Sequence, residues 1–147
     1  MNKLIKLIEL EEGWKPTPYY CSENYPTVGY GFKLADKNAP LPDFILPKSA
    51  GDAWLLELIN GLENQVKQYP WYAKLNSPRK AIILSMMYQM GFTGVFKFKN
   101  MIQAILDNDY VTASNEMLDS RWARQTPNRA NRHAIQLQGG DWHSYYD

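Results

Sequence analysis

The segment EGWKPTPYYCSENYPTVGYG, residues 12–31, decides the fold. It follows an apolar stretch in which residues 4, 5, 7 and 8 are Leu or Ile at helical spacing. Asn2 is a suitable N-cap for that helix, and Gly13 can take the left-handed conformation that ends it. Glu12 therefore lies in the last turn, where the helix dipole disfavours an anion and so suits a proton donor.

The rest of the segment predicts a β-hairpin. Tyr19, Tyr20 and residues 27–32 have the composition of strands, and residues 22–26 are rich in turn formers. A hairpin packed against the helix end would gather Glu12, Cys21 and Thr27 around one small volume. This is the candidate active site. The alternative is a structural hairpin with an exposed Glu and a small buried Cys.

Beyond the hairpin the pattern predicts a loop and then helices. Residues 33–48 hold three prolines and little periodicity, which is typical of a loop. From Asp52 to about Gln68, apolar residues recur every three or four positions and predict an amphipathic helix. Ser77 and Pro78 resemble an N-cap followed by a first-position proline, and the nearly all-apolar helix to Tyr88 is expected to be the centre of a C-terminal core.

The last third of the chain predicts three further helices. Gly91 and Gly94 are expected to break the chain before a helix over residues 95–106, and a short helix follows over 113–118. Thr126 and Pro127 repeat the capping pattern before a helix to Leu137. The methionines at positions 86, 87, 90, 101 and 117 are interpreted as core filler, and Trp122 as buried packing.

Composition restricts the class of protein. The 147 residues are 45% hydrophobic and 21% charged, which excludes a disordered chain, and no apolar run is long enough to span a bilayer. A net charge of +1 without a dense basic stripe argues against nucleic-acid binding. One Cys and two His give neither a disulfide nor a zinc motif. The N-terminus has early acids and lacks a cleavage site, so we expect synthesis in a reducing cytoplasm.

Three motifs resemble a known family. Glu12-Gly13, Cys21 nine residues after the Glu, and Thr27 in TVGYG resemble the Glu, Asp and Thr active site of the phage lysozymes of glycoside hydrolase family 24. This chain has Cys21 where that family usually has Asp. YQMGFTGV at 88–95 and SRWARQTPNRANR at 120–132 are similar to the T-even lysozymes of the family.

The resemblance implies a fold and an activity. The fold would be α+β and two-lobed, with a hairpin-bearing lobe over 13–52, a connecting helix over 53–69, and a helical lobe over 70–147 that includes helix 2–12. The activity would be that of a phage endolysin, hydrolysing the β-1,4 bond between N-acetylmuramic acid and N-acetylglucosamine in peptidoglycan for host lysis. No cofactor or metal is implied. We expect a monomer without membrane insertion that leaves the host cytoplasm through a holin-type pore.

The resemblance also implies residue roles. Glu12 would be the general acid, Thr27 would hold a water, and Cys21 would be a thiolate that stabilises positive charge, a nucleophile or a spectator. Arg129 would pair with Glu12 and Arg132 with Glu11, and both would also tie the last helix to the first. The positions that match the family's saccharide contacts are Lys33, Tyr88, Met101 and Glu116.

Two other classes stay open. A cysteine peptidase or amidase would pair Cys21 with His133 or His143, although neither His has a recognisable orienting partner in the sequence. An inactive peptidoglycan-binding remnant, in which the Asp has been lost, would bind the wall without cutting it.

Overall fold

The fold combines many helices with one small antiparallel sheet. The computed structural model describes the backbone of residues 2–147 and the side chains of residues 3–147. The chain divides into two compact units, Met1–Leu58 and Ile59–Asp147. This confirms the predicted α+β, lysozyme-like fold. The predicted lobe boundaries, including the assignment of helix 2–12 to the helical lobe, stay predictions.

Helix α1 spans Asn2–Glu12 and ends where the sequence predicts. Leu4, Leu7 and Ile8 are buried, which confirms the apolar stripe. Gly13 follows with φ of 73°, and its N–H donates to the carbonyl of Glu9 over 2.9 Å. This left-handed residue stops the helix directly after Glu12. The predicted Asn2 cap depends on a side chain that lies outside the described residues.

The hairpin forms as predicted, with one more strand than expected. Strands β1 (Lys15–Tyr20), β2 (Pro26–Gly29) and β3 (Phe32–Lys33) form an antiparallel sheet in the order β1-β2-β3. The single strand expected over residues 27–32 is wrong, because Gly29 and Gly31 have φ of 70° and 82° and turn the chain between β2 and β3. The inner strand β2 is buried throughout.

Helix α2 spans Lys48–Val66, so it begins four residues before the predicted start at Asp52. The N–H of Gly51 donates to the carbonyl of Pro47, which makes the proline the residue that starts the helix. Leu55, Ile59 and Val66 are buried, as predicted. Leu58, which was expected on the same apolar face, is 41% exposed. The boundary between the two units lies within this helix.

The C-terminal unit is built from short helices around α4. These are α3 (Pro70–Ala73), α4 (Ser77–Met90), α5 (Phe92–Phe96), α6 (Lys99–Leu106), α7 (Tyr110–Leu118), α8 (Arg121–Gln125) and α9 (Pro127–Gly139), followed by a 3-10 turn at Ser144–Tyr146. Seven consecutive residues of α4, 81–87, are buried, which confirms that it is the central helix of this core. Helix α9 packs against α4, α7 and α8.

Of two predicted helix caps, Ser77 is wrong and Thr126 is right in position but makes no capping hydrogen bond. Asn76, not Ser77, caps α4, because its Oδ1 accepts the N–H of Arg79 over 3.1 Å. Thr126 occupies the N-cap position of α9, but its hydroxyl donates to the carbonyl of Trp122 over 2.9 Å instead of capping. In both cases the sequence locates the helix start to within a residue and misassigns the hydrogen bond.

The break predicted at Gly94 is also wrong, because α5 runs through it. The chain turns after α5, at residues 97–98, so residues 95–106 form parts of two helices. Trp122 and the methionines at positions 86, 87, 101 and 117 are buried as predicted, whereas Met90 is only half-buried. Within residues 2–147, none of the helices has the length and apolar character needed to cross a membrane.

Candidate active site

Glu12 is presented at the C-terminal end of α1, facing the turn that follows β2. A Cβ placed on Gly31 would lie 3.6 Å from Glu12 Oε2, so the carboxylate packs against the bare Cα of this glycine. Glu12 is half-exposed. The helix end and the hairpin therefore meet at this carboxylate, as the sequence predicts.

Cys21 lies in the tight turn between β1 and β2. Its N–H donates to the carbonyl of Tyr25 over 3.0 Å, and its carbonyl accepts the N–H of Asn24 over 2.9 Å. The sulfur accepts hydrogen bonds from the backbone N–H groups of Tyr25 and Glu23. These bonds, above all the one from Tyr25, hold the pKa of the thiol below its usual value. The turn thus stabilises the thiolate more than water does.

Thr27 supports this turn from β2. It is buried, and its hydroxyl donates to the carbonyl of Tyr25 over 2.7 Å. The same hydroxyl hydrogen-bonds the thiol of Cys21 and further lowers its pKa. Because a hydroxyl has only one proton, it serves these two acceptors alternately. Thr27 therefore contacts the sulfur directly, whereas the water-holding role stays a prediction.

Tyr19 lies near two of the predicted catalytic groups and was not among the sequence-based candidates. Burial raises the pKa of Tyr19, and the nearby negative charges of Cys21 and Glu12 raise it further. Both groups are therefore close to this phenol. Tyr19 pairs with Thr27 across the sheet, so strand alternation was a usable signal that their side chains share one face.

Lys33 extends the same row on β3. It pairs with Thr27 on the other side of β2, and its Nζ lies 3.9 Å from the centre of the Tyr25 ring. The exposed ammonium group is therefore held next to the Cys21 turn. The structure brings this predicted saccharide contact beside the candidate catalytic groups within the N-terminal unit.

Two predicted saccharide contacts of the C-terminal unit, Met101 and Glu116, share a cavity of about 210 Å³. Met101 on α6 is only 1% exposed, and Glu116 on α7 is half-exposed. Tyr88, the third, lies on α4 and is half-buried. The other residues that line the cavity are Lys97, Phe98, Lys99, Asn100, Asp119 and Ser120.

Arg129 is buried within α9 and anchored to α4. One of its terminal nitrogens donates to Ser85 Oγ over 2.9 Å and to the Ser85 carbonyl over 3.3 Å. Arg132, one turn further along, stacks its guanidinium 4.1 Å from the centre of the Tyr145 ring. Both arginines thus make structural contacts within this unit, whereas the expected tie between the last helix and the first stays a prediction. Their pairing with Glu12 and Glu11 stays a prediction.

Ser85, the buried partner of Arg129, also contacts His133. The sequence-based interpretation of this histidine was wrong. Contrary to the expectation that neither His has an orienting partner, His133 Nε2 lies 2.7 Å from Ser85 Oγ and its Nδ1 lies 3.2 Å from the Tyr146 hydroxyl. The imidazole is fully buried. His143 Nδ1 accepts the N–H of Tyr145 over 3.0 Å. His133 is therefore a core residue with both ring nitrogens engaged, which removes the support for its role as a peptidase base.

A second polar cluster that the sequence did not predict surrounds Tyr30. Its hydroxyl lies 2.7 Å from Asp52 Oδ1 and 3.1 Å from Glu9 Oε1, and it accepts the ammonium of Lys48 over 2.6 Å. Burial above all, together with the two carboxylates, raises the pKa of Tyr30 to about 12. This cluster connects α1, the β2–β3 turn and the first turn of α2, and so fixes the helix that carries Glu12 to the hairpin.

A comparison with protein families agrees with this arrangement. The family model described as "Phage lysozyme" matches residues 9–136, which include both the hairpin and the C-terminal helices. The chain belongs to the phage lysozyme family. This confirms the resemblance that the Glu12, Cys21 and Thr27 motif indicates.

Similar proteins come from a phage and a social amoeba. The chain is 26% identical over 168 aligned positions to "Probable T4-type lysozyme 1" of Dictyostelium discoideum, covering 99% of both chains. It is 32% identical to "Probable T4-type lysozyme 2" of the same organism, over 71% of this chain and 62% of that one. It is 26% identical to "Pre-baseplate central spike protein Gp5" of Enterobacteria phage T4, over 97% of this chain and 28% of that protein.

As a phage lysozyme the protein is a lysozyme-like cell-wall hydrolase. The side chains that its N-terminal unit groups together, a carboxylate and a polarised thiol, suit acid-assisted hydrolysis. Across the described residues, no cluster of three or more His, Cys, Asp or Glu side chains could hold a metal ion.

Proposed function

We propose that this phage lysozyme is a muramidase, which hydrolyses the β-1,4 bond between N-acetylmuramic acid and N-acetylglucosamine in bacterial peptidoglycan. The observation that carries the proposal is the placement of Glu12, which ends α1 and faces Gly31 beside the turn that holds Cys21. Hydrolysis of a glycosidic bond needs an acid for the leaving oxygen and a second group for the sugar carbon. Glu12 and Cys21 are suited to these two tasks.

Glu12 delivers a proton to the glycosidic oxygen as the bond from that oxygen to the anomeric carbon breaks. The last turn of α1 places this carboxyl against Gly31, where it can reach a bound substrate. Positive charge then develops on the sugar ring. After the bond has broken, Glu12 is the carboxylate that must be reprotonated before the next cycle.

Cys21 acts in the second half of the reaction, in which water attacks the sugar. Its thiolate, favoured by two backbone N–H groups and Thr27, stabilises the positive charge on the sugar. A water adds its oxygen to the anomeric carbon, and the proton that it loses passes to the thiolate. Thr27 keeps the sulfur oriented toward this water. On this proposal the water attacks directly, and no covalent bond forms between the sugar and the enzyme.

We further propose that the protein is a phage endolysin, synthesised in the host cytoplasm and reaching the wall through a holin-type pore as a monomer. Expression in a bacterium with and without a co-expressed pore tests this role, because lysis is expected only when the membrane has been opened. Lysis without any pore would contradict it.

A second role, in wall penetration from outside the cell, has one observation in its favour. The similarity extends over nearly all of this chain to a protein named as a pre-baseplate central spike, of which it covers 28%. Both roles need the same bond cleavage. Detection of the chain in purified phage particles would favour the entry role over host lysis.

The experiment that tests the activity is digestion of purified peptidoglycan by the wild type and by Glu12→Gln, followed by mass spectrometry of the fragments. Disaccharide peptides with a reducing N-acetylmuramic acid end are expected from the wild type alone. Fragments lighter by one water, with an anhydro sugar end, would indicate a transglycosylase. Free amines without new reducing ends would indicate an amidase or peptidase, and wall binding without fragments would indicate an inactive remnant.

A further inference from the structure

A second cavity lies in the N-terminal unit, on the other face of the hairpin from Thr27. It measures about 200 Å³ and is lined by Tyr20, Asn24 and Asn38. Tyr19 pairs with Thr27 and Tyr20 pairs with Pro26. Because successive residues of a strand point to opposite faces, Tyr20 points away from the face that carries Tyr19 and Thr27. The cavity is therefore separate from the candidate catalytic groups.

The backbone around this cavity is fixed. The N–H of Asn38 donates to the carbonyl of Asn24 over 2.9 Å, which joins the hairpin turn to the following loop. Both asparagines have φ of 66°, a left-handed conformation that Asn tolerates better than most residues. The third lining residue, Tyr20, is held by its hydroxyl, which donates to the carbonyl of Ala39 over 2.7 Å. These bonds fix the backbone of Asn24 and Asn38 and the ring of Tyr20 before any ligand arrives.

The lining has the chemistry of a saccharide site. The side chain of Tyr20 is 43% exposed and offers an aromatic face. The side-chain amides of Asn24 and Asn38 form no hydrogen bond with any of the residues that the structure describes, and each offers two donors and one acceptor. An apolar ring face beside neutral amides matches a sugar ring, which presents C–H groups on one side and hydroxyl or acetamido groups at its edge.

The size and charge of the cavity restrict the class of ligand that it can bind. Pockets that enclose drug-sized ligands measure roughly 300–1,000 Å³, so this smaller cavity suits one sugar residue rather than a long segment. The three lining side chains are uncharged. A phosphate or the carboxylates of a stem peptide would find no opposite charge there, which favours a neutral N-acetylated sugar.

We propose that this cavity, lined by Tyr20, Asn24 and Asn38, is an accessory saccharide site that binds one N-acetylhexosamine of the wall glycan. It lies on the reverse face of the hairpin from Thr27 and does not touch the bond that is cut. The assignment of an N-acetylhexosamine as the ligand rests on the proposed muramidase function. The site keeps the enzyme attached to insoluble wall between cleavage events.

The test is a triple variant, Tyr20→Ala, Asn24→Gly and Asn38→Gly. Glycine keeps the positive φ at both positions while it removes the amides. Loss of one aromatic contact and two amides is expected to weaken co-sedimentation with insoluble peptidoglycan by about fivefold to tenfold. Turnover of a soluble, short glycan fragment is expected to stay at the wild-type level in Asn38→Gly alone, because Asn38 lies outside the turn that holds Cys21. Tyr20→Phe, which keeps the ring and loses only the bond to Ala39, is the matched comparison and is expected to bind more tightly than the triple variant.

A direct readout accompanies the binding assay. Titration of a soluble oligomer of N-acetylglucosamine into isotope-labelled wild-type protein is expected to shift the side-chain amide signals of Asn24 and Asn38 in nuclear magnetic resonance spectra. Unshifted amide signals would overturn the proposal, and so would a folded triple variant that still sediments with the wall like the wild type. If the triple variant does not fold, Asn38→Gly alone and the titration decide.

The outcomes separate this site from the proposed activity. Wild-type fragments without new reducing N-acetylmuramic acid ends would refute the muramidase assignment and would not change the sedimentation result. An inactive Glu12→Gln together with unchanged sedimentation of the triple variant would refute the accessory site alone.

Discussion

Ser85 Oγ lies 2.7 Å from His133 Nε2 inside the C-terminal unit, and the same oxygen accepts a hydrogen bond from Arg129. Since a guanidinium can only donate, Ser85 Oγ accepts from Arg129 and keeps its own proton for a second partner. His133 Nδ1 lies 3.2 Å from the hydroxyl of Tyr146. Both ring nitrogens of His133 thus belong to a buried relay that starts at a cation.

This relay makes the stability of the protein depend on pH. Burial above all, and then the positive charges of Arg129, Arg132 and His143, hold the pKa of His133 well below 6.5. In the unfolded chain the imidazole of His133 becomes protonated near pH 6.5, whereas in the folded protein it stays neutral at that pH. The free energy of unfolding therefore falls as the pH drops below about 7. The slope is expected to approach about 1.4 kcal/mol per pH unit until the lowered folded pKa is reached.

Urea unfolding between pH 5 and pH 8 measures this slope. His133→Gln, which keeps a polar side chain that does not titrate, is expected to flatten it. His143→Gln, at the half-exposed histidine, is the matched control and is expected to keep most of the dependence of the free energy of unfolding on pH. A wild-type slope that survives in His133→Gln would assign the pH dependence to other groups.

Glu12→Gln is expected to reduce wall hydrolysis by roughly a hundredfold or more, because the amide keeps the size of the side chain but cannot deliver a proton. Loss of turbidity of a cell-wall suspension measures the rate, and a thermal melt checks the fold. Glu57→Gln, on the exposed side of α2, is a control that should keep full activity. Retention of most activity in Glu12→Gln would remove Glu12 from the role of acid.

Arg129→Ala is expected to lower both stability and activity. The change leaves the oxygens of Ser85 without their buried donor and, on the predicted pairing, leaves Glu12 without its counter-charge. Removing one partner of a buried pair costs roughly 3–5 kcal/mol. Arg121→Ala, on an exposed residue of α8, is the control for loss of a positive charge.

A double-mutant cycle separates the two contributions. If Arg129 pairs with Glu12, Arg129→Ala costs less stability in the Glu12→Gln background than in the wild type. Equal costs in both backgrounds would restrict Arg129 to its contacts with Ser85. An unchanged melting temperature would contradict its burial.

Cys21 is expected to react with iodoacetamide at neutral pH, because its lowered pKa increases the thiolate fraction. The pH at which alkylation is half-maximal should lie below 9.0, the usual value of the thiol. Thr27→Val, which keeps the branched shape but removes the hydroxyl, should move this midpoint upward. Thr17→Val, on an exposed residue of β1, should not.

The role of Cys21 in catalysis is tested by replacement. Cys21→Asp is expected to stay active, Cys21→Ala to be weaker, and the alkylated wild type to be blocked. Full activity in Cys21→Ala would make the position simple packing. A sugar adduct on Cys21, with a product of retained configuration appearing first, would make the thiol a nucleophile instead of a base.

Local sequence signals predicted the parts of the fold that depend on neighbouring residues. Gly13 and the stripe of Leu4, Leu7 and Ile8 were enough to locate the end of α1, and the turn-forming residues after Tyr20 located the hairpin. The same reasoning chose Ser77 instead of Asn76 as the cap of α4, because several residues at a helix start could supply the capping oxygen.

The clusters that depend on distant residues were not predictable in this way. Ser85 and His133 are 48 residues apart, and Tyr30 and Asp52 are 22 apart, so neither contact leaves a periodic signal. His133 seemed to lack a partner because its partners come from α4 and from the C-terminal turn. The motif of Glu12, Cys21 and Thr27 was visible only because its three members lie within sixteen residues.

The turn that surrounds Cys21 has an evolutionary consequence. The donors that stabilise its sulfur are main-chain groups of Glu23 and Tyr25, and any residue type would supply them. A backbone cradle of this kind accepts an oxygen anion as readily as a sulfur anion. Sulfur and carboxylate are thus interchangeable at position 21 without redesign of their neighbours. A lineage could pass from one to the other in a single substitution and gain sensitivity to oxidants together with the thiol.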